Sequence, residues 1–286
     1  MPATQLTQQQ SYQVCRRITA RHARSFYFSS FVLELSKRQA AYAVYAFCRH
    51  CDDRVDEGGL DESDPATART ALLADLHLAL EGRGFPWAPA FAQTVKRYGI
   101  PPRYPRELIH GVCLDAETVR IVDWEELRCY CYYVAGVVGL IMARIFGLKD
   151  LAAEKQAVEL GWAMQLTNIC RDVGEDMERG RIYLPAEDMA RHGVHESDLL
   201  HGRAHNGFQR LLAELIERSD KLYASAERGI PLIEDRSARA CARVMSRVYG
   251  GINREIEALH YDVFSDRART DLRRKLVLAA RGVTAR

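Results

Sequence analysis

Long runs of helical periodicity fill this chain, and proline marks where they stop. Pro65, Pro86, Pro89, Pro101, Pro102, Pro105, Pro185 and Pro231 fall between the runs, where a missing N–H does least harm. Ser36-x-x-Gln39 predicts a capping box that opens a helix reaching Asp56. Asp64-Pro65 predicts an N-cap followed by proline at the first helical position, and Asp123-x-x-Glu126 opens another helix through Phe146. Further helices are predicted over 150–177, 206–226, 237–262 and 265–281. There is no alternating strand pattern between turn residues, no internal repeat, and neither a G-x-G-x-x-G nor a Walker A pattern. The expectation is all-α: one helical bundle spanning 1–286, with residues 1–10 disordered.

Composition narrows this picture only a little. At 286 residues, one large domain is the default, and 48% hydrophobic with 27% charged residues is ordinary for a soluble protein. Lys and Arg number 40 against 38 Asp and Glu, so no electrostatic case for nucleic acid as a partner exists. Of the eight cysteines, Cys48 and Cys51 form a CxxC, but no second CxxC exists to complete a metal site. All eight read as reduced, buried core thiols. Residues 1–10 are polar and Gln-rich, unlike a signal peptide. The longest apolar stretch, Val134 to Phe146, is interrupted by Arg144 and is too short for a bilayer span. A cytoplasmic protein is expected, resting at most on the inner face of a membrane.

The chemistry lies in two segments. Tyr45, Arg49, Asp52 and Asp56 are spaced 0, 4, 7 and 11 residues apart, and Gln165, Asn168, Asp172 and Asp176 at 0, 3, 7 and 11, so each set shares one helix face. Like charges one turn apart cost an isolated helix a few tenths of a kcal/mol. One such pair reads as a solvated acidic face. Two of them, each on an otherwise apolar helix, call for a compensating cation. Aspartate oxygens suit a hard ion that keeps waters and shares sites with phosphate, namely Mg²⁺, with Mn²⁺ as a substitute. A di-iron bundle would need Glu-x-x-His, which neither segment has. Facing acidic helices suit a diphosphate leaving group, and a carbocation formed there needs a dry pocket with aromatic faces. Phe26, Tyr42, Tyr45, Tyr130 and Tyr249 are candidates, although each alone also reads as core packing.

At these residues the chain resembles the squalene/phytoene synthase family over nearly its whole length. The markers, in order, are His22-Ala-Arg24-Ser25-Phe26-Tyr27, YAFCRHCDDRVDE at 45–57, Tyr130 to Gly139, NICRDVGEDMERGRIYLP at 168–185, and Tyr249 with HYDVFSDRAR. The resemblance implies an isoprenoid-synthase-type bundle with a central pocket, in which Asp52, Asp56, Asp172 and Asp176 hold Mg²⁺ on isoprenoid diphosphates. It further implies diphosphate contacts from Arg49, His22, Arg24 and Ser25, with Arg171, Arg181 and Tyr183 adding to them. Gln165 and Asn168 line the same face, Asn168 as a further metal or phosphate contact. Tyr130 handles a proton or steadies the cation, and Tyr249 is the second candidate. Arg54, Glu57 and Glu175 are assigned to the surface or to supporting contacts. The implied reaction is head-to-head: one allylic diphosphate ionises, the second attacks, and a cyclopropylcarbinyl diphosphate rearranges to a triene such as phytoene. The chain lacks the extended C-terminal region usual in squalene synthases, so NADPH is not expected. In the resemblance, the position eight residues after the N-terminal histidine lies deep in the pocket. Here it is Ser30, flanked by Ser29, with Tyr42 as a partial plug, which favours geranylgeranyl (C20) over farnesyl (C15) diphosphate. The C15 alternative would yield dehydrosqualene, presqualene diphosphate or squalene. A hydrocarbon product suits peripheral membrane contact and a downstream desaturase. The basic stretch 267–286, seven Lys/Arg against one Asp, is either a membrane-facing helix or a packed one with a basic outer face.

Overall fold

The computed structural model describes residues 6–56, 65–148, 150, 153–265, 268 and 270–284. Asp64, Glu57 and Arg267 lie outside them. Among the described residues every regular element is helical, apart from the isolated bridges Arg120–Ile182 and Leu148–Ile233. The first half comprises α1 (Gln8–His22), α2 (Arg24–Ser29), α3 (Leu35–Asp56), α4 (Pro65–Leu80), α5 (Ala88–Tyr98), α6 (Arg103–Cys113) and α7 (Trp124–Cys131). The second comprises α8 (Val137–Phe146), α9 (Glu154–Glu178), α10 (Ala186–Arg191), α11 (Glu196–Leu200), α12 (Asn206–Glu227), α13 (Arg236–Ala258) and α14 (Leu272–Thr284).

Local signals account for most boundaries. The Asp123 carboxylate accepts from the Glu126 N–H at 2.8 Å, while the Glu126 carboxylate reaches back to the Val122 N–H at 2.6 Å. Other boundaries differ from expectation. Thr7 and Gln10 form a capping box, so α1 opens inside the segment expected to be disordered. Helix α3 begins at Leu35, and the Ser36 hydroxyl donates to the Glu34 carboxylate instead of capping. Pro89 and Pro105 lie within the first turns of α5 and α6, where their N–H groups would be unpaired anyway. Helix α13 stops at Ala258 because His260 and Tyr261 turn left-handed, with φ of 51° and 61°. The last helix starts at Leu272 and not Ser265, and the Asp271 carboxylate caps it at the Arg274 N–H, 2.7 Å away. It packs along α13, with Leu278 against Gly251 and Gly282 against Val244.

The helical segment Trp124–Phe146 has the length and apolarity of a membrane span, which counting only the run from Val134 missed. A π-helical turn at Tyr132–Gly136 links its halves, α7 and α8. Its half-exposed residues Val134, Ala135, Val138 and Met142 face an internal cavity. It crosses α9 very closely: a Cβ on Gly139 would lie 2.2 Å from the Ala157 carbonyl oxygen, and one on Gly161 2.4 Å from that of Ala135. Only glycine fits at either crossing. All eight cysteines are free thiols; Cys129 is exposed, contrary to the buried reading, because it lies on the outer face of α7.

Candidate active site

Helices α3 and α9 each run alongside two connected chambers. The polar one, about 350 Å³, is lined by Arg49, Asp52 and Asp56 from α3 and by Gln165, Asn168, Asp172 and Asp176 from α9. The two stripes therefore face each other. Three further groups complete the walls: Tyr130 from α7, Arg181 and Tyr183 from the segment after α9, and Asp115 from the turn after α6. The second chamber, about 280 Å³, is almost wholly apolar. Phe26, Ala41, Val44 and Tyr45 line it on one side, with α8, the first part of α9, and Ala242, Met245 and Tyr249 of α13 on the others. Val134, Gln165 and Asn168 border both chambers and so mark the junction.

Charge is distributed unevenly over the four aspartates. Asp56 is ion-paired to Arg181 at 2.9 Å and to Arg179 at 3.3 Å, and Asp172 to Arg171, whose Nε lies 2.7 Å from Oδ1. Asp52 and Asp176 have no ion pair among the described residues, and burial pushes each up to about 7. Neighbouring carboxylates push the same way, while Arg49 pulls Asp52 back only in part. Asp115 is also raised by burial, to about 6, and accepts the hydroxyls of Tyr183 at 2.8 Å and Tyr130 at 3.0 Å. The two tyrosine rings stack with centroids 4.9 Å apart. Arg49, paired with Asp53, keeps a buried Nε without a hydrogen-bond partner on this chamber's wall.

This donor set fits a hard divalent ion. The groups that could ligate it are carboxylate and amide oxygens, and the Asp52 and Asp176 carboxyls have no ion pair among the described residues. Among the described residues no three His, Cys, Asp or Glu already converge as a cage. Few protein ligands, with water and phosphate completing the shell, is the habit of Mg²⁺ rather than of a structural metal.

The squalene/phytoene synthase family model matches residues 19–274. The chain belongs to that family. It is 37% identical to the phytoene synthase of Arthrospira platensis, over 93% of this chain and 90% of the other. It is 35% identical to the 15-cis-phytoene synthase of Synechocystis, over 94% and 83%. Among solved structures, a dehydrosqualene synthase in complex with ligand superposes with a TM-score of 0.88 at 30% identity, covering 96% of both chains. The squalene synthase HpnC of Alicyclobacillus acidocaldarius follows at 0.79 and 28%, covering 89% of this chain and 95% of that one.

Not every residue assigned through the family resemblance lies on a chamber wall. Tyr45, Phe26 and Tyr249 line the apolar chamber, where burial raises both tyrosine hydroxyls and the charges of Arg49 and Arg171 respectively oppose it. Arg171 lies behind the polar wall, held by Asp172. His22 and Arg24 are exposed and Ser25 is half-buried, and none of the three lines either chamber. His22 is nonetheless near enough to Arg49 that this charge, after burial, lowers its pKa. Ser30 and Tyr42, expected deep in the pocket, line neither chamber. Ser30 is fully buried, its hydroxyl bonded to the Tyr27 carbonyl and the Tyr42 hydroxyl, each at 2.7 Å. Phe26 packs edge-on against Tyr42 and presents its own ring to the chamber, so the serine–tyrosine pair sits outside the wall. Asp115 and Arg179 are site residues that sequence reasoning missed.

Proposed function

We propose that the chain condenses two geranylgeranyl diphosphates head to head, through a cyclopropylcarbinyl diphosphate, to phytoene with release of diphosphate. The observation that carries the reading is a carboxylate-walled chamber opening directly into an apolar one, in a chain whose relatives include phytoene synthases. Asp52, Asp56, Asp172 and Asp176 would hold Mg²⁺, which when bound supplies neutralising charge to the departing diphosphate. Arg49 and Arg181 bind diphosphate oxygens from the same wall, and Asn168 and Gln165 orient them at the junction. The apolar chamber takes the tails and excludes water from the allylic carbons, with the faces of Tyr45 and Tyr249 beside the cation. Tyr130 donates to Asp115, so a proton lost from the condensed chain to the Tyr130 oxygen passes on to the Asp115 carboxylate. A second reading, farnesyl diphosphate to dehydrosqualene, draws on the 0.88 superposition with a dehydrosqualene synthase.

The test is purified protein with Mg²⁺ or Mn²⁺ and C20 or C15 diphosphate in competition, with and without NADPH, and the hydrocarbon identified. The expected result is phytoene from C20, dependent on the metal and indifferent to NADPH. Preferential turnover of C15 replaces the assignment with the second reading.

A further inference from the structure

The end of the bundle farthest from the aspartates is built from the start of α3, the end of α8 and the start of α13. Lys37 ties all three together, with its Nζ 3.2 Å from Asp235 and 3.3 Å from the Phe146 carbonyl oxygen. The Glu34 N–H donates to the Ser237 hydroxyl at 3.2 Å, and Leu148 bridges to Ile233. Phe146, Leu148, Ile230 and Ile233, all in this junction, line the deep end of the apolar chamber.

Phe31, Leu35 and Leu232 sit on the outside of the same junction, 53%, 58% and 45% exposed. Single exposed apolar residues are ordinary, but three at one junction, beside the deep end of an apolar chamber, suit an apolar neighbour. Four arginines accompany them. Arg38 lies over the Phe31 ring at 5.6 Å, and Arg228, Arg236 and Arg239 flank Leu232 along the chain without an ion pair among the described residues. The acidic groups here are fewer: Glu34, Glu234 and Asp235, the last of which is held by Lys37. Exposed apolar side chains with arginine beside them, over the ring at Phe31 and along the chain at Leu232, match an anionic lipid surface.

We propose that Phe31, Leu35 and Leu232, with Arg38 and Arg236 around them, dock this end of the bundle on an anionic membrane. The deep end of the apolar chamber then abuts the bilayer. The proposal rests on the functional reading only in that a hydrocarbon product explains why lipid should meet this end. Helix α14 is the competing surface, since its Leu276 and Val277 are 55% and 52% exposed.

The experiment is co-sedimentation of the full chain with phosphatidylglycerol-containing and with pure phosphatidylcholine vesicles. Wild type should bind the first and bind the second weakly. The triple variant Phe31→Ser/Leu35→Ser/Leu232→Ser should lose roughly tenfold or more of that affinity, while Leu276→Ser/Val277→Ser keeps it. Should the triple variant unfold, Arg38→Glu/Arg236→Glu reads the same face and should also lose binding. Wild-type binding by the triple variant, no vesicle binding at all, or loss confined to the α14 pair would each overturn the proposal. So would a concentration-dependent dimer that the triple variant dissolves, because the occupant would then be a second copy. Turnover assayed in detergent separates the two claims: a protein that binds vesicles through this face but consumes neither C20 nor C15 diphosphate refutes the functional reading alone.

Discussion

The two chambers share their helices and differ in almost everything else. Helix α3 gives Ala41 and Val44 to the apolar chamber and Asp52 and Asp56 to the polar one. Helix α9 does the same with Ala157 and Leu160, then Asp172 and Asp176. A single helix thus changes from alkyl to carboxylate within about two turns in α3 and about three in α9. The polar chamber gathers more carboxylates than its ion pairs engage, which no fold needs for stability, whereas the apolar chamber is a space that ordinary packing would have filled. Neither feature stabilises the bundle. On the proposed function, together they would lay a path from a leaving-group site to a dry tail site.

The sharpest way to break this comparison is to remove charge from one chamber alone. Asp52→Asn or Asp172→Asn should lower turnover by about a thousandfold or more, as loss of an electrostatic transition-state contact does. Helicity should stay close to wild type, because neither carboxylate packs the core. Near-wild-type turnover in either variant with Mg²⁺ present would remove the polar chamber from the reaction.

The same contrast explains what could be read from the sequence. Carboxylates at helical spacing stand out against an apolar background, so both stripes and their shared faces were legible, as was the all-helical fold. Asp115 was not legible, because it occupies a short turn after α6 where no periodicity marks it, and only the fold brings Tyr130 and Tyr183 to its two oxygens. The apolar chamber was invisible for the opposite reason. Ala143, Ala242 and Met245 are the residues any core would use, and spacing does not say that they face space instead of neighbours. Nor can spacing show that the Phe26 ring stands between the cavity and the Ser30–Tyr42 pair.

A smaller effect tests the apolar chamber alone. Ala242 lies on its wall, in the first part of α13, and its methyl faces the space a tail would fill. Ala242→Phe should shorten the chamber and move preference from C20 toward C15 by roughly tenfold. Ser30→Ala, which only trades a buried hydroxyl for a methyl behind the wall, should leave preference unchanged. A switch of tail length by Ser30→Ala with none by Ala242→Phe would put the length gauge back behind Phe26. Competition between the two diphosphates measures both.

The smallest effect separates the chambers' charge from the charge elsewhere in the molecule, and it is read on metal-free protein in chelator. Asp52 and Asp176 are raised by burial from 3.8 to about 7. Between those values the folded chain binds more protons than the unfolded one, so these groups favour folding at low pH and cease to as pH rises through about 7. Glu214, outside both chambers, runs the other way. Burial opposes it, but His192, Arg191 and Arg218 outweigh burial and hold it near 2, below its ordinary 4.5. It therefore favours folding above pH 4.5 and loses that contribution as pH falls toward 2. The metal-free wild type should accordingly lose thermal stability from about pH 4 to about pH 7. Asp52→Asn should lose less over that window and exceed wild type at pH 8, while Glu214→Gln should change only the acid limb. Identical pH profiles for Asp52→Asn and wild type in chelator would mean that Asp52 is solvated in the folded chain, and the picture of a chamber strained for cation binding would fall with it.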